Sequence, residues 1–275
     1  MFGMNRTTRT LVYAVLMVYT AWNLFPLLVM VISGFKSTRE IFLNPFALPA
    51  KLSFANYAAA WQKANFSLYF TNSVVIALVS IVSLIFLSSM AAYVLARYNF
   101  PGRRLVYLFV LLGLVLPARL AIIPIFLLIR SLGLNDTRIG LILIYSATGF
   151  SFATFLLVNF FQSIPTDLED AARIDGAGNF RIYWQVNLPL LRPALATVTV
   201  FSFVNIWNDF FFPLILINTN SRKTIPLGVQ SFFGEYSIQW DLLFAALNIA
   251  VIPIIIFFII LSRQFIEGLT EGAIK

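Results

Sequence analysis

The chain has 275 residues, 60% hydrophobic and only 11% charged, with 29 Phe; soluble domains carry about 25% charged residues, so the bilayer is its solvent. It contains neither Cys nor His, which removes disulfides, thiolate metal sites, the usual proton shuttle and the commonest metal ligand, and argues against most intramembrane enzymes. The net charge of +8 lies mostly between apolar runs, where Lys and Arg meet lipid head groups and fix topology; membrane lipid, not nucleic acid, is the expected partner.

The short basic stretch from Met1 to Arg9 precedes an apolar run, 11–33, that is long enough to span. It reads as a retained first helix that also targets the chain, rather than a cleaved leader. A span needs about 20 mostly apolar residues. Six stretches qualify: 11–33, 74–96, 105–129, 139–161, 195–217 and 242–262. Each must be helical, because lipid offers no partner to an open backbone. The ten-residue alternating segments of an outer-membrane barrel are absent. The expectation is an all-α integral membrane fold, one transmembrane domain over 1–275 with six transmembrane helices.

Residues 34–73, with Pro45 and Pro49 and the aromatics Phe42, Phe46, Phe54, Tyr57 and Trp61, suit an interfacial loop with a short amphipathic helix. Ser80, Ser83, Ser88 and Ser89 in the second stretch read as close-packing residues. The third stretch is interrupted by Pro117 and Pro124 and holds Arg119. A helix entering at Leu105 reaches Arg119 after about 21 Å. It either ends near Pro117, followed by a shorter helix along the surface or over a cavity, or it is simply kinked. Tyr145, Ser146, Thr148, Ser151 and Thr154 in the fourth stretch are candidates to face a solute.

Asn205, Asn208 and Asp209 fall in the fifth stretch. An ionisable group at that depth is costly and marks a candidate functional site. Two readings stand: a polar wall of a translocation path, or an interhelical hydrogen bond, worth about 0.6 kcal/mol on average in membranes. Tyr145 and Ser151 join these three as candidate pathway residues. Six spans put ten Lys and Arg on one side and nine on the other, so charge alone does not orient the chain. The compact Arg97–Arg104 cluster favours its own side as cytoplasmic.

The hydrophilic loop 162–194 carries the most information. Thr166 and Glu169 have the spacing of a capping box. Asp167, Glu169 and Asp170 put negative charge at a helix start, where the dipole favours it. Leu168, Ala171 and Ala172 form a small apolar face. Asp175-Gly176 marks a tight turn, followed by Ala177. A second helix fits from about Gly178 to Asn187, and Pro189 after Leu188 helps to end it. The loop is thus helix, turn, helix: either a docking element or an amphipathic connector on head groups.

This segment resembles the cytoplasmic loop motif of ABC importer permeases: EAA, three residues, Gly, nine residues, Ile-x-Leu-Pro. Asp170-Ala171-Ala172 occupy the EAA positions, Gly176 the Gly, and Val186-Asn187-Leu188-Pro189 the end. Asp for Glu and Val for Ile are the departures. Further stretches are similar to the maltose-type carbohydrate-uptake branch, and within it to the smaller six-span permease. They are Asn72-Ser73, Ala91-Ala92-Tyr93 with Leu95-Ala96-Arg97, Phe100-Pro101-Gly102-Arg103, Trp207-Asn208-Asp209-Phe210 with Pro213-Leu214, and the ending from Gly268 to Lys275.

The resemblance implies a type I, binding-protein-dependent importer of a carbohydrate such as an oligosaccharide. It implies a second, non-identical permease, two ATPase subunits and an extracytoplasmic solute-binding protein as partners. The loop would be the coupling helix, and both termini would be cytoplasmic. The chain would not be an enzyme and would hold no cofactor; ATP and Mg would sit on the ATPases, consistent with the lack of a G-x-x-x-x-G-K-[ST] phosphate loop. Competing readings are the same fold for another solute, such as glycerol phosphate or a phosphodiester, and a stand-alone secondary transporter. The latter would normally show inverted halves and buried coupling acids, and here only Asp209 is a clear buried acid.

Overall fold

The structure, a computed structural model, describes residues 5–63, 65–233 and 238–273, with side chains as far as 265. Met1 to Met4, and the Ile274 and Lys275 that close the C-terminal motif, lie outside the described residues. In chain order the α-helices are α1 (Arg6–Ser33), α2 (Thr38–Leu43), α3 (Ala55–Lys63), α4 (Phe66–Arg97), α5 (Arg103–Val115), α6 (Ile122–Ser131), α7 (Arg138–Ser163), α8 (Asp167–Ile174), α9 (Asn179–Ile182), α10 (Leu188–Leu190), α11 (Arg192–Asn208), α12 (Phe211–Leu216), α13 (Ile225–Val229) and α14 (Trp240–Ala273).

Among the described residues, four helices are single, long and apolar enough to cross a membrane: Arg6–Ser33, Phe66–Arg97, Arg138–Ser163 and Trp240–Phe265. The third and fifth expected stretches are broken. The third ends at Val115, because Leu116 turns extended before Pro117 and the next residues cannot continue the ladder. The chain resumes as α6, where Pro124 is tolerated in the first turn, whose N–H groups have no helical acceptor. The fifth is the 17-residue α11, about 26 Å long, which stops where Asp209 turns extended, before the short α12.

The chain divides into two compact units. One comprises Met1–Ser67 with Gly228–Ile252 and the other Leu68–Leu227 with Pro253–Lys275. In the first unit, Asn248 Nδ2 donates to Tyr57 Oη (2.9 Å) and to the carbonyls of Met30 and Val31 at the end of α1. Gly34 leaves room there: a Cβ would lie 2.3 Å from Asn248 Nδ2, so the Asn248–Tyr57 bond would have to shift. The loop after α1 holds two short helices where one was expected. A capping box between Ser37 and Glu40 starts α2. The buried Lys36 donates to the carbonyls of Asn44 and Pro45 just past its end.

In the second unit α7 packs against α5 and α11. It runs between two apolar cores. One gathers Ile76, Ile129, Leu141, Tyr145, Phe212 and Leu216 around its first half. The other gathers Leu84, Tyr93, Leu157, Phe161, Tyr183 and Val198 around its second half. Asn72-Ser73 is a staple: Asn72 Nδ2 donates to the carbonyls of Ser221 and Lys223, and Ser73 Oγ accepts from Ile225 N–H. Asp136, at positive φ, accepts from the N–H groups of Asn218 and Thr219 and pairs with Arg222. Burial pushes the Asp136 carboxyl up, but the Thr219 and Asn218 bonds with Arg222 outweigh it and hold the group below the ordinary carboxylate value. Of the span-two serines, Ser83 is half-buried and Ser89 bonds Tyr183. Ser80 and Ser88 are fully buried, and Ser88 returns its hydroxyl to the Ile85 carbonyl.

Candidate functional site

The expected turn in the loop is a Schellman motif. Ala177 N–H donates to the Ala172 carbonyl (2.9 Å) and Gly176 N–H to that of Arg173 (3.0 Å). Gly176 sits at φ +79°, a conformation that L side chains rarely adopt. Nothing lies within 4 Å of where its Cβ would be. Thr166, Leu168, Asp170, Ala171, Asp175 and Gly176 are exposed, and Ala172 and Ala177 are half-buried.

The expected capping box is absent. Thr166 is itself helical (φ −68°, ψ −23°) and its side chain caps nothing. The reason is a stronger partner for Glu169. Arg97, the last residue of α4, donates from Nε to Glu169 Oε1 at 2.6 Å, and both side chains are at most 8% exposed. A charge-assisted bond of this kind is roughly twice as strong as a neutral one. Asn187 Nδ2 donates to the same oxygen at 3.1 Å, and Arg97 Nη2 to the Ile164 carbonyl at 2.9 Å. Glu169 therefore locks α8 to α4 and to the second arm of the loop. Asp170, at the EAA acid position, points outward and pairs with Arg173 at 2.7 Å.

The second arm also differs from expectation. It is α9, a π-turn over Tyr183–Asn187, and α10, and the helical path continues past Pro189. Pro189 has no N–H to offer the preceding turn, and that turn is the widened one. The chain then bends by 72° into α11. Tyr183 Oη is 2.7 Å from Ser89 Oγ in α4, and its ring meets that of Tyr93 at 5.3 Å. Leu188 is half-buried and Pro189 exposed. On the outside of the loop Leu168, Ile174 (86% exposed) and Phe180 (72%) present an apolar surface. Arg97, Asn187, Tyr183 and Ser89 anchor the loop without a local sequence signal, except that Arg97 terminates an apolar run of more than twenty residues.

A second feature lies among the spans. A cavity of about 310 Å³ is lined by Tyr145, Thr148, Asn205 and Asp209, with Arg119, Phe152, Phe201 and others. Asp209 is buried; its Oδ2 accepts from Tyr145 Oη (2.9 Å) and from the N–H of Phe212 (3.1 Å), so it caps the resumption of helix after its own break. Arg119, from the α5–α6 break, lies 3.7 Å from Asp209 Oδ1 and over the Phe211 ring. Two broken helices thus meet through one charge pair. Asn208 does not line the cavity and returns its amide to the Val204 carbonyl. Ser151 does not line it either; its Oγ would be 2.2 Å from a Cβ at Gly113, so it marks close packing of α7 on α5. Ser146 and Thr154 are buried. Among the described residues, no group of acids is suited to hold a metal ion.

Apolar helices around a cavity that holds Asp209 and Arg119, with a clamped helix–turn–helix on the hydrophilic loop 162–194, fit a membrane transport subunit. Residues 84–270 match the family described as binding-protein-dependent transport system inner membrane component, and the chain belongs to that family. It is 38% identical to the diacetylchitobiose uptake system permease protein NgcG of Streptomyces coelicolor, over 98% of this chain and 90% of that protein. It is 35% identical to the probable starch degradation products transport system permease protein AmyC of Thermoanaerobacterium thermosulfurigenes, over 91% of each. In fold it is similar to a chain of a bacterial ABC transporter involved in the import of the acidic polysaccharide alginate, with TM-score 0.85 and 24% identity, covering 96% of this chain and 100% of that one. The chain is an all-α inner-membrane permease subunit of an ATP-driven importer and is not itself the ATPase.

Proposed function

We infer that this permease passes a carbohydrate, of oligosaccharide size, delivered by an extracytoplasmic binding protein. The names of the relatives support the solute class, since they describe diacetylchitobiose and starch-degradation-product permeases. The acid–base balance of the cavity supports a neutral solute: one carboxylate, Asp209, faces one guanidinium, Arg119. A glycerol phosphate would meet an already compensated arginine. A second, non-identical permease and two ATPase subunits complete the assembly, and both termini lie in the cytoplasm with residues 162–194.

The observation that carries the reading is the clamped loop. A force-transmitting element must be rigid toward its own spans and open toward its partner. Glu169 and Tyr183 bond the loop to α4 from within, while Leu168, Ile174 and Phe180 stay outside for an ATPase groove. In this reading nucleotide-driven motion of the ATPase moves α8, and the Arg97–Glu169 bond passes that motion to α4. Tyr145, Asn205 and Asp209 then belong to the wall of the path. The test is ATP turnover by the complete importer in vesicles, with its binding protein and a panel of solutes. Stimulation by an oligosaccharide and not by glycerol phosphate is expected; stimulation by glycerol phosphate alone would refute the solute class.

A further inference from the structure

Where α4 ends, α5 begins and α7 ends, a separate cavity of about 660 Å³ opens, lined by Asn99, Arg103, Arg104, Tyr107 and Gln162 together with apolar side chains. No acid lines it. Arg103 Nη1 donates to Asn99 Oδ1 at 2.7 Å. Each guanidinium has five N–H donors, and among the described residues the Arg103 side chain makes no second bond and the Arg104 side chain makes none. The cavity therefore holds two positive charges with most of their donors unused.

Its position fixes the depth. Arg103 and Arg104 immediately precede the apolar run of α5, and Gln162 immediately precedes the last residue of α7. All three helices change from apolar to polar at this level, so it is the head-group level of the bilayer. The α5 helix has no buried residue, and Leu105 (72%), Phe109 (76%) and Leu112 (53%) leave an apolar strip running into the membrane from the cavity mouth. Basic pockets between spans at this depth suit acidic head groups. Arginine forks match phosphate oxygens in paired bonds.

We propose that this pocket binds the phosphate-bearing head group of an acidic glycerophospholipid, with the acyl chains along α5. The apolar strip selects a lipid over free phosphate, which would use only the arginines. The α4–α5 turn that the lipid would brace begins one residue after Arg97, so occupancy would stiffen the anchor of the loop.

The experiment uses the complete importer in zwitterionic detergent, with phosphatidylglycerol and phosphatidylcholine as probes and bound lipid counted by native mass spectrometry. Phosphatidylglycerol should bind in preference, and Arg103→Gln with Arg104→Gln should weaken it about thirtyfold, at about fivefold per basic group. Arg6→Gln with Arg9→Gln, equally basic but elsewhere, should leave it unchanged. If the double variant does not assemble, Arg104→Gln alone, at an exposed side chain, should weaken binding about fivefold. Unchanged phosphatidylglycerol binding in these variants overturns the site. Displacement of the lipid by inorganic phosphate would make it a free-anion site and overturn the lipid assignment. Loss of ATPase association with lipid binding intact would make it a protein contact and equally overturn it.

Discussion

Arg97 and Glu169 lie seventy-two residues apart in the chain and 2.6 Å apart in space, and each is the other's buried counter-charge. The bond joins the last residue of a membrane helix to the middle of the loop that faces outward. Removing one member of a buried pair costs about 3–5 kcal/mol when the survivor is left uncompensated; after loss of Arg97, Glu169 keeps as counter-charge only a longer, 3.4 Å contact to the half-exposed Arg173, so the cost is a part of that. Here the cost falls on the docking of α8. Arg97→Gln should raise hydrogen exchange across Asp167–Ile174 while leaving α7 protected. Arg97→Leu with Glu169→Leu should recover part of the protection, since no charge is stranded. Equal exchange in the single and double variants would remove the pair from the loop's anchoring.

Asp209 joins two broken helices and lines the cavity, so replacing it separates a role in transport from one in assembly. Asp209→Leu strands the Tyr145 hydroxyl and the Phe212 N–H, each worth about 1–3 kcal/mol when buried and unpaired. Solute uptake by the assembled importer should fall sharply. Asp209→Asn, which keeps an acceptor oxygen, should be milder. An Asp209→Leu importer that assembles and transports normally would reduce Asp209 to a packing residue.

Gly113 and Ser151 form a close contact between α5 and α7. Gly113→Val inserts atoms where Ser151 Oγ already lies 2.2 Å from the Cβ position, and overpacking costs about 1–3 kcal/mol. The melting temperature in detergent should drop, and Ser151→Ala should restore part of it. Ser151→Ala alone should leave transport unchanged. A solute-specific transport defect in Ser151→Ala would return that serine to the pathway.

Orientation is tested at Asn179, an exposed residue at the start of α9. The native chain has no cysteine, so Asn179→Cys supplies a single thiol. A membrane-impermeant reagent should label it only after the membrane is opened. Labelling in intact cells would invert the topology.

The fold was legible where one apolar run meets one requirement: lipid forces helix, so α1, α4, α7 and α14 each contain their run, although α4 begins eight residues before it and α14 extends eleven past it. Pro117 marked the third stretch for a break or a kink, and the extended Leu116 before it makes it a break. The break at Asp209 was not announced, because no Pro or Gly marks it; the carboxylate itself caps the next N–H. In the loop, Gly176 was readable because the turn needs a positive φ. Glu169 was misread because local spacing favoured a cap, while its true partner is seventy-two residues away and visible only in three dimensions. Ser151, which packs against Gly113, was not separable from a pathway residue for a similar reason: a hydroxyl on a span reads alike whether it faces a cavity or a glycine.

If residues 166–188 transmit force between the spans and a separate ATPase, Gly176→Val should uncouple the two. The site is open, so the replacement clashes with nothing inside the chain. It strains the turn by about 1–2 kcal/mol and alters the shape offered to a groove. The complete importer, reconstituted in vesicles, is assayed for solute uptake and ATP turnover together, with ATPase association measured on the same sample. Weakened association, or ATP turnover without matching uptake, is the predicted result with the membrane helices still folded. Wild-type association with wild-type coupled transport would contradict it and leave the loop a connector on the membrane surface.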